Sequence, residues 1–501
     1  MLLVDTLLDL NNQNNTKPVR TRYAPSPTGF FHIGGARTAL FNYLFARKNN
    51  GKFIFRTEDT DSLRNIKEGE NSQIDNLLWM NIEIDESPRN PVDKYNNYRQ
   101  SEKLSLYNEL VNTLLLEKKA YQCFCSKEKL ENDRQFAKEN KLTPKYNKTC
   151  LNLSDEDIQK KIENNEEFVV RLIIEPDKIF EWDDLIRGNI KIPSSSLTDP
   201  VILKQNKIPM YNFAVVVDDY DMEISHVLRG EEHLSNTPYQ LAIYNALYPN
   251  KKNEILYGHL PVIINENKKK LSKRDLETKQ FIEDYKNDGY LPQAIVNYLA
   301  LLGWSPKNKK EIFSMDELIN DFDINSISKS SAMFDVKKLE WVANQYFKNM
   351  DETLYLEEVK KFININDDIV NINNNEICLL FKKQIASYSE INSLISDLFL
   401  DENNNIEIDY DEIGTNKEMF INISNFLITK MNDNFEWTET NIKKIIDDIK
   451  KEFNLSGKKL FMPIRILTSR KNHGPELPKT IFLLSKNKII KNINQYLLEN
   501  K

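Results

Sequence analysis

The chain has little cysteine and no long apolar run, and each shortage excludes a class of protein. It has four cysteines in 501 residues, too few for a disulfide framework. No apolar run reaches the roughly 18 residues that a transmembrane helix needs. Residues 1–17 contain no arginine, and Asp5 and Asp9 interrupt their apolar part. They therefore resemble neither a secretory nor a mitochondrial presequence, and we expect a cytoplasmic protein with no membrane partner.

The chain is acidic overall but carries local basic clusters. Its 501 residues predict several domains, at about 100–200 residues each. The formal net charge is −7, which by itself argues weakly against nucleic-acid binding. Binding needs only a local basic face, however, and KKKLSKR at residues 268–274 is a candidate. Taken alone, such a cluster is more often a solvated surface.

The first part of the chain has the pattern of a parallel α/β sheet. VRTRYAP, from Val19, and KFIFRTED are predicted strands. Between them lie a turn with proline and glycine, SPTGFFHIGG, and a predicted helix, ARTALFNYLFARKNN, which we expect to end with Gly51 in the C′ position. This order of elements begins a parallel sheet with helical connections.

Strand patterns return after a polar block at about residues 120–200, so an insertion is predicted to split the sheet. MYNFAVVVDDY, EISHVLRG and LPVII are the predicted strands. From about residue 275 the pattern turns helical. Apolar residues recur near helical spacing in 291–303, 377–399, 416–431, 439–453 and 476–498.

The turn from Pro27 to Gly35 is a candidate phosphate site. It ends a predicted strand and opens a predicted helix, where unpaired backbone N–H groups and the helix dipole favour an anion. Gly29, Gly34 and Gly35 allow the backbone to approach a ligand closely. His32 can donate a hydrogen bond to a phosphoryl oxygen. The turn by itself fits a capped, glycine-containing turn equally well.

A second candidate is the polar loop Lys270-Leu271-Ser272-Lys273-Arg274. Two lysines three positions apart suit a polyphosphate, whose transfer needs position and charge but no covalent chemistry. Together the two motifs resemble the His-Ile-Gly-His and Lys-Met-Ser-Lys-Ser signatures of class I aminoacyl-tRNA synthetases. Gly35 and Arg274 depart from those signatures in ways that are usual for one branch of the class, and Leu271 replaces methionine with a near-isosteric apolar residue.

That branch is the bacterial-type glutamyl-tRNA synthetases. The segments that resemble it, over about residues 19–495, are RYAPSPTGFFHIGGARTALFNYLFAR, FRTEDTD, YNFAVVVDDYDMEISHVLRGEEHLSNTPYQ, KKLSKRD, LPQAIVNYLALLGWSP, FDVKKLEWVANQY and HGPELP. The resemblance implies a multidomain protein with a Rossmann-type α/β catalytic domain, an inserted α+β domain and an all-α C-terminal region. The implied segments are an N-terminal extension (1–17), the split catalytic domain (18–119 and 200–265), the inserted acceptor-stem-binding domain (120–199), the stem-contact domain with the KLSKR loop (266–340) and the helical anticodon-binding region (341–501).

The resemblance implies a ligase that activates glutamate with ATP to glutamyl-adenylate and transfers it to the 3′-terminal adenosine of tRNA(Glu). Catalysis would rest on positioning and charge, with Mg²⁺ on the phosphates. The residues implied for ATP are His32, Gly34, Gly35, Lys270, Ser272 and Lys273, among which His32, Lys270 and Lys273 are the catalytic candidates. The residues implied for glutamate are Arg22, Ala24, Ser26, Glu58, Tyr211 and Arg229.

The residue types of the glutamate site agree with the chemistry of the substrate. Arg22 and Arg229 offer planar, bidentate donors to carboxylates, and Glu58 can hold the ammonium group. Tyr211 can donate a hydroxyl hydrogen bond. Two cationic donors also discriminate against glutamine, whose amide N–H groups would face donors with which they cannot pair.

Three cysteines fall close together in the predicted insertion. Zn²⁺ favours three or four thiolate or nitrogen ligands, and some relatives bind zinc here through a C-x-C pair such as Cys123 and Cys125. No histidine lies near Cys150, so Tyr146 is the candidate for the fourth ligand, although phenolate is an unusual one. Three reduced thiols without metal are the alternative.

Three other functions fit the sequence less well than the ligase. A glutaminyl-tRNA synthetase would carry β-barrels where this chain has helical patterns. The short glutamyl-queuosine paralogue lacks the anticodon-binding part, and an inactive RNA-binding protein would not need His32, Gly34, Lys270 and Lys273 intact. Whether tRNA(Gln) is charged in addition to tRNA(Glu) stays open, and we expect a monomer.

Overall fold

The computed structural model describes residues 18–61, 63–95, 97–271, 279–366, 368–400, 407–432 and 434–500. The chain divides into two units. The first comprises the described residues up to Tyr285 together with Ile295–Val336, and the second comprises Lys286–Ala294 together with the described residues from Lys337. Within these ranges, no helix is long and apolar enough to cross a membrane.

The first unit contains the strands. They are β1 (Arg20–Tyr23), β2 (Lys52–Phe55), β3 (Ala120–Cys123), β4 (Val169–Leu172), β5 (Ile179–Asp184), β6 (Gly188–Pro193), β7 (Val201–Leu203), β8 (His226–Gly230), β9 (Leu256–Leu260), β10 (Ile263–Ile264) and β11 (Ala332–Met333). The central sheet is parallel with the order β2-β1-β8-β9. Since β1 and β8 are neighbours, the sheet is split in the chain by the residues between β2 and β8, as the strand patterns predicted.

Smaller sheets lie in the residues between the two halves of the central sheet and just after it. β3, β4 and β7 form an antiparallel sheet, and β5 and β6 form an antiparallel hairpin. β10 pairs with β11 in parallel. The hairpin contacts the central sheet directly, because the N–H of Leu185, which follows β5, donates to the carbonyl of Tyr257 in β9 at 2.8 Å.

The helices that lie wholly in the first unit are Ile33–Lys48, Gly69–Trp79, Leu104–Leu116, Lys127–Glu139, Asp155–Glu163, Tyr211–Asp221, Thr237–Leu247 and Met315–Asp321. The segment MYNFAVVVDDY was predicted as a strand, and that prediction is wrong, since Tyr211–Asp221 is a helix. Its residues from Phe213 to Asp219 are all buried. A helix buried on every side shows no polar face, so neither its periodicity nor its valines distinguish it from a buried strand.

The end of the helix Ile33–Lys48 also differs from the prediction. Asn49 caps it, and Asn50 in the C′ position has a φ of 51°, so the left-handed residue is Asn50 and not Gly51. Gly51 is needed for a different reason. A Cβ at this position would lie 2.3 Å from the carbonyl oxygen of Val19, so the close approach of the two chain segments excludes a side chain.

The second unit is helical over the residues that the structure describes. Its helices are Glu352–Val359, Asp368–Ile372, Asn374–Phe381, Glu390–Ile395, Tyr410–Ile413, Lys417–Lys430, Glu439–Glu452, Lys458–Ser469, Leu477–Leu484 and Lys486–Glu499, and Ile282–Asn287, Pro292–Leu301 and Val336–Asn349 span the points where the chain changes unit. Their apolar faces form one core rich in isoleucine and leucine. The predicted helical stretch 377–399 is interrupted between Phe381 and Glu390.

Candidate active site

A cavity of about 600 Å³ opens at the carboxyl ends of the central parallel strands. This is the edge at which open α/β sheets bind ligands. Residues that follow three of the strands line it, including Ala24 after β1, Glu58 after β2 and Pro261 after β9. The predicted ATP and glutamate residues that line this cavity are Arg22, Ala24, Ser26, His32, Gly34, Gly35, Glu58, Tyr211, Arg229 and Lys270. Ser272 and Lys273 lie outside the described residues.

His32 caps the helix that begins at the cavity. Its Nδ1 accepts the N–H of Gly35 at 3.0 Å, so a neutral ring carries its proton on Nε2, the nitrogen that can donate to a phosphoryl oxygen. The N–H of Ile33 donates to the carbonyl of Gln280 at 2.9 Å. The prediction that the N–H groups of this turn are unpaired is therefore wrong for Ile33 and Gly35. The helix dipole and His32 are the features that suit an anion here.

Gly35 stands at a position where a side chain cannot fit. A Cβ on this residue would lie 2.4 Å from the hydroxyl oxygen of Tyr23 in β1. Tyr23 is surrounded by protein, and burial raises its pKa well above the ordinary value, so the hydroxyl stays protonated. The packing of helix against strand thus explains why glycine replaces the second histidine of the signature.

Lys270 lies at the margin of the cavity. Its Nζ is 3.6 Å from a carboxylate oxygen of Glu232, and its side chain is largely exposed. Burial would raise the pKa of Glu232, but hydrogen bonding to its own backbone N–H and the charge of Lys270 outweigh it and hold the pKa below the ordinary value. An exposed lysine beside an ionised carboxylate can exchange that partner for a phosphate.

On one side of the cavity, buried charges of opposite sign are paired. Nε and Nη2 of Arg22 both donate to Asp219 at 3.2 Å. Arg56 donates to the same carboxylate at 2.7 Å and to Glu58 at 3.2 Å. Burial alone would raise the pKa of Asp219, but the two guanidinium groups hold it below the ordinary value. Because Asp219 accepts from both arginines, it holds the Arg22 guanidinium in place beside the cavity.

Glu58 is a buried carboxylate whose charge is only partly stabilised. Burial raises its pKa to about 7, although Arg56 and Arg22 oppose the shift. Its backbone N–H donates to the carbonyl of Pro25 at 2.9 Å, which ties it to the loop that carries Ala24 and Ser26. A positive ligand group beside Glu58 would favour its ionised form, so the geometry suits an ammonium group.

On the other side of the cavity, Arg229 has no acidic partner among the residues that the structure describes. Its Nε donates to Nε2 of His259 at 3.2 Å, and its Nη2 donates to the hydroxyl of Thr237 at 2.9 Å. Its Nη1 is buried with no hydrogen-bond partner in the described part of the chain. A buried, uncompensated guanidinium at a cavity favours an anionic ligand.

Several residues that shape this site were not among those predicted. Asp219, Arg56 and His259 were not identified, although each holds a predicted site residue. One signal was available for Asp219. Asp218 and Asp219 end an otherwise apolar run, FAVVVDD, and acids within a buried segment need cationic partners. No comparable signal marks His259.

The cysteine cluster lies away from the cavity, in the small antiparallel sheet region. The sulfur atoms of Cys123, Cys125 and Cys150 all lie within 4.8 Å of one another. The hydroxyl of Tyr146 is 3.3 Å from Cys123 Sγ and 3.5 Å from Cys125 Sγ. Thiolates around one zinc ion lie about 3.8 Å apart, given Zn–S bonds of about 2.3 Å in a tetrahedron. The three thiols and the predicted tyrosine are therefore brought together at distances that fit this ion.

Known proteins resemble this chain along nearly its whole length. Residues 18–341 match the family described as tRNA synthetases class I (E and Q), catalytic domain, and residues 339–497 match the anticodon binding domain family. The chain is 51% identical over 492 residues to the glutamate–tRNA ligase of Malacoplasma penetrans (strain HF-2), covering 97% of this chain and 99% of that protein. It is 50% identical over 480 residues to that of Ureaplasma parvum serovar 3 (strain ATCC 27815 / 27 / NCTC 11736), covering 95% and 98%.

A solved structure gives the same result for the fold. The crystal structure of a glutamate tRNA ligase from Elizabethkingia meningosepticum CCUG26117, in complex with its amino acid, superimposes with a TM-score of 0.81 at 31% identity. The match covers 97% of this chain and 100% of that one. The predicted fold class, an α/β domain with a parallel sheet followed by a mostly helical region, is confirmed.

Proposed function

Since the chain belongs to the glutamate–tRNA ligase family of class I aminoacyl-tRNA synthetases, we propose that it joins glutamate to the 3′ end of tRNA at the expense of ATP. The family predicted from the sequence motifs is confirmed. The observation that carries the proposal for this cavity is the meeting of three features at one sheet edge. They are the uncompensated guanidinium of Arg229, the buried carboxylate of Glu58 and the helix that His32 caps.

The first step consumes ATP, which is bound as its Mg²⁺ complex. An α-carboxylate oxygen of glutamate forms a bond to the α-phosphorus, the bond from that phosphorus to the bridging oxygen breaks, and pyrophosphate leaves. His32 donates from Nε2 to a phosphoryl oxygen, and Lys270 supplies positive charge to the phosphates. Ser272 and Lys273 are proposed to act with Lys270 on the strength of the sequence motif alone.

The second step consumes the adenylate. The 2′-hydroxyl oxygen of the terminal adenosine of tRNA bonds to the activated carbonyl carbon. The bond from that carbon to the AMP oxygen breaks, AMP leaves and the hydroxyl proton is released. No protein nucleophile is needed, so the contribution of the chain is orientation and charge stabilisation.

Glutamate lies across the cavity with its charges matched to the two sides. Arg229 pairs with one carboxylate, Glu58 holds the ammonium group, and Arg22 and Tyr211 donate to the remaining oxygens. Ala24 and Ser26 border the substrate in the loop after β1. Glutamine is disfavoured because its amide would leave a buried guanidinium without an anion.

The remaining segments serve the tRNA and the stability of the chain. Residues 120–199 contact the acceptor stem, 266–340 form the stem-contact domain with the KLSKR loop, and 341–501 bind the anticodon. Residues 1–17 form an extension of undefined role. The protein acts in the cytoplasm as a monomer. Sedimentation at assay concentration tests the oligomeric state, and a dimer would contradict this part of the proposal.

A zinc ion held by Cys123, Cys125, Cys150 and Tyr146 is part of the proposal. The bound metal would stabilise the small sheet around β3 and take no part in the reaction. Purification without chelator and elemental analysis should give about one zinc per chain, and Cys150→Ser should lose it. Stoichiometric zinc in the Cys150→Ser protein, or none in the wild type, contradicts the site.

Charging assays test the function as a whole. The full chain is incubated with ATP, glutamate and either purified tRNA(Glu) or tRNA(Gln), and acylated tRNA is measured. Glutamylation of tRNA(Glu) is expected, and the tRNA(Gln) reaction decides between one tRNA and two. If neither tRNA accepts glutamate from protein that still binds ATP, the proposed function is wrong.

A further inference from the structure

A buried chain of hydrogen bonds runs from Asp184 through His259 to Arg229. Asp184 Oδ2 bonds to His259 Nδ1, and His259 Nε2 accepts from Arg229 Nε at 3.2 Å. The side chains of Asp184 and His259 are both fully buried, and Arg229 is 5% exposed. Asp184 and His259 do not line the cavity as Arg229 does, so they can act on a ligand there only through Arg229.

These contacts allow one tautomer of His259. Arg229 Nε can only donate, so Nε2 of His259 must accept, and the ring proton must lie on Nδ1, where Asp184 accepts it. Burial lowers the pKa of His259 below its ordinary value, although the bond to Asp184 opposes the shift. The ring is therefore neutral at pH 7, as its role as an acceptor requires.

Backbone hydrogen bonds fix the orientation of the Asp184 carboxylate. Its Oδ1 accepts three backbone N–H groups, from Ile186 at 3.1 Å, Arg187 at 2.9 Å and His259 at 3.2 Å. Its Oδ2, which faces His259, also receives a long contact from the indole N–H of Trp182 at 3.5 Å. The carboxylate thus has no freedom to rotate, and it presents an acceptor to the imidazole.

We propose that Asp184 and His259 are positioning residues for glutamate: Asp184 sets the tautomer of His259, and His259 holds the Arg229 guanidinium where it meets a substrate carboxylate. This proposal rests on the proposed function for the choice of ligand. Asp184 is the last residue of β5, within the segment 120–199. The segment proposed to contact the acceptor stem therefore contributes a residue to the amino-acid site of the sheet.

The substitution Asp184→Asn tests the proposal by changing one atom. The amide oxygen must keep the place that accepts three N–H groups, so the NH₂ group faces His259 Nδ1. The ring proton then moves to Nε2, which can donate to the Thr237 hydroxyl 3.3 Å away but can no longer accept, so Arg229 Nε loses its acceptor. Loss of a hydrogen bond to a charged group predicts a rise of about 10- to 100-fold in KM for glutamate. The KM for ATP should change less than about twofold, because in the described part of the chain no hydrogen bond of Asp184 is to a residue proposed for ATP.

Asp183→Asn is the matched control. Asp183 is the preceding residue of the same strand and its side chain is exposed. Among the described residues, its one hydrogen-bond donor is the side-chain amide of Asn189 at 2.8 Å. This isosteric change should leave both KM values unaltered. Equal glutamate KM values for the two variants, with both proteins folded by thermal melting, would overturn the proposal.

A spectroscopic measurement tests the hydrogen-bond chain without any need for activity. The protein is labelled with ¹⁵N-histidine, and long-range ¹H–¹⁵N correlations report the tautomer of each of the five histidines. The His259 signals are assigned by their loss in His259→Gln. We expect the Nδ1–H form in the wild type and the Nε2–H form in Asp184→Asn, and an Nε2–H wild type refutes the proposal.

Two substitutions of His259 give a second line of evidence if Asp184→Asn does not fold. Gln can place its amide oxygen near the position of Nε2 and accept from Arg229, whereas Asn is too short and reaches only towards Asp184. His259→Gln should therefore keep a glutamate KM nearer the wild type than His259→Asn. The reverse order contradicts the proposal. Failure of the wild type to charge glutamate would refute the proposed function, while the tautomer measurement would still decide this inference.

Discussion

The two sides of the cavity differ in how their charges are balanced. On the side of β1, β2 and the helix Tyr211–Asp221, Arg22 and Arg56 share Asp219, and Arg56 also meets Glu58. On the side of β8 and β9, the neighbours of Arg229 are neutral, namely His259 and Thr237. On the first side the two arginines share an anion, Asp219, before any ligand binds, whereas Arg229 on the second side has no anion among the described residues.

This difference distinguishes residues that stabilise the structure of the site from residues that bind the ligand. Removing one partner of a buried ion pair lowers the free energy of unfolding of the protein strongly, because the other charge is left uncompensated. A buried cation without an acidic partner is already uncompensated in the folded protein. Its removal should therefore change the free energy of unfolding little but abolish anion binding. The same type of substitution should therefore have opposite consequences on the two sides.

Arg229→Gln is expected to give the largest effect on catalysis. The kcat/KM for glutamate should fall about 10³-fold, or about 4 kcal/mol, since a charge-assisted contact to the substrate is lost. The free energy of unfolding in urea should change little. Arg134→Gln, which removes an exposed arginine paired with Glu131, is the control. A decrease in kcat/KM of less than about tenfold would mean that Arg229 does not bind the substrate carboxylate.

Asp219→Asn should give the largest effect on stability. Two buried guanidinium groups would lose their shared anion, so the free energy of unfolding should fall by about 3 kcal/mol. Asp221→Asn is the matched control on the same helix, because Asp221 is half exposed and pairs with Lys103. Its loss should stay below about 1 kcal/mol. Similar losses in urea denaturation for the two variants would break the comparison.

Glu58→Gln should weaken function while improving stability at high pH. Loss of the anion should raise the KM for glutamate about 10- to 100-fold. The pKa of Glu58 is about 7 in the folded chain, above the ordinary unfolded value of about 4.3. The wild type therefore loses stability as pH rises from about 4.3 to about 7, and the variant should be about 1–2 kcal/mol more stable at pH 8. Urea unfolding at pH 8 that shows the variant to be less stable contradicts this.

The smallest expected effect is on the pH dependence of glutamate binding. As pH falls from 8 to 6, Glu58 takes up a proton and no longer attracts the ammonium group. The KM for glutamate should rise about three- to tenfold over this range in the wild type. In Glu58→Gln it should stay flat. A flat wild-type profile would show that the ammonium is held elsewhere.

The sequence predicted which residues line the site better than it predicted how those residues are arranged and paired. His32, Arg229 and Glu58 were identified because they stand within motifs of adjacent residues, and local order along the chain is what a sequence displays. Each lines the cavity, while their roles stay predictions. The helix at 211–221 was predicted as a strand, because complete burial removes the polar face that distinguishes the two.

The sequence by itself determined the family, the order of the two phosphate motifs, the split parallel sheet and the helical C-terminal region, since these follow from short-range patterns. Only the tertiary structure decided which charges are compensated. Arg22 meets Asp219 across 197 positions, and His259 meets Asp184 across 75. Such pairings depend on how strands and helices pack, and short-range periodicity carries no information about distances between residues so far apart in the chain. The uncompensated charge of Arg229, and the hydrogen bonds that hold its guanidinium, could therefore be identified only from the folded structure.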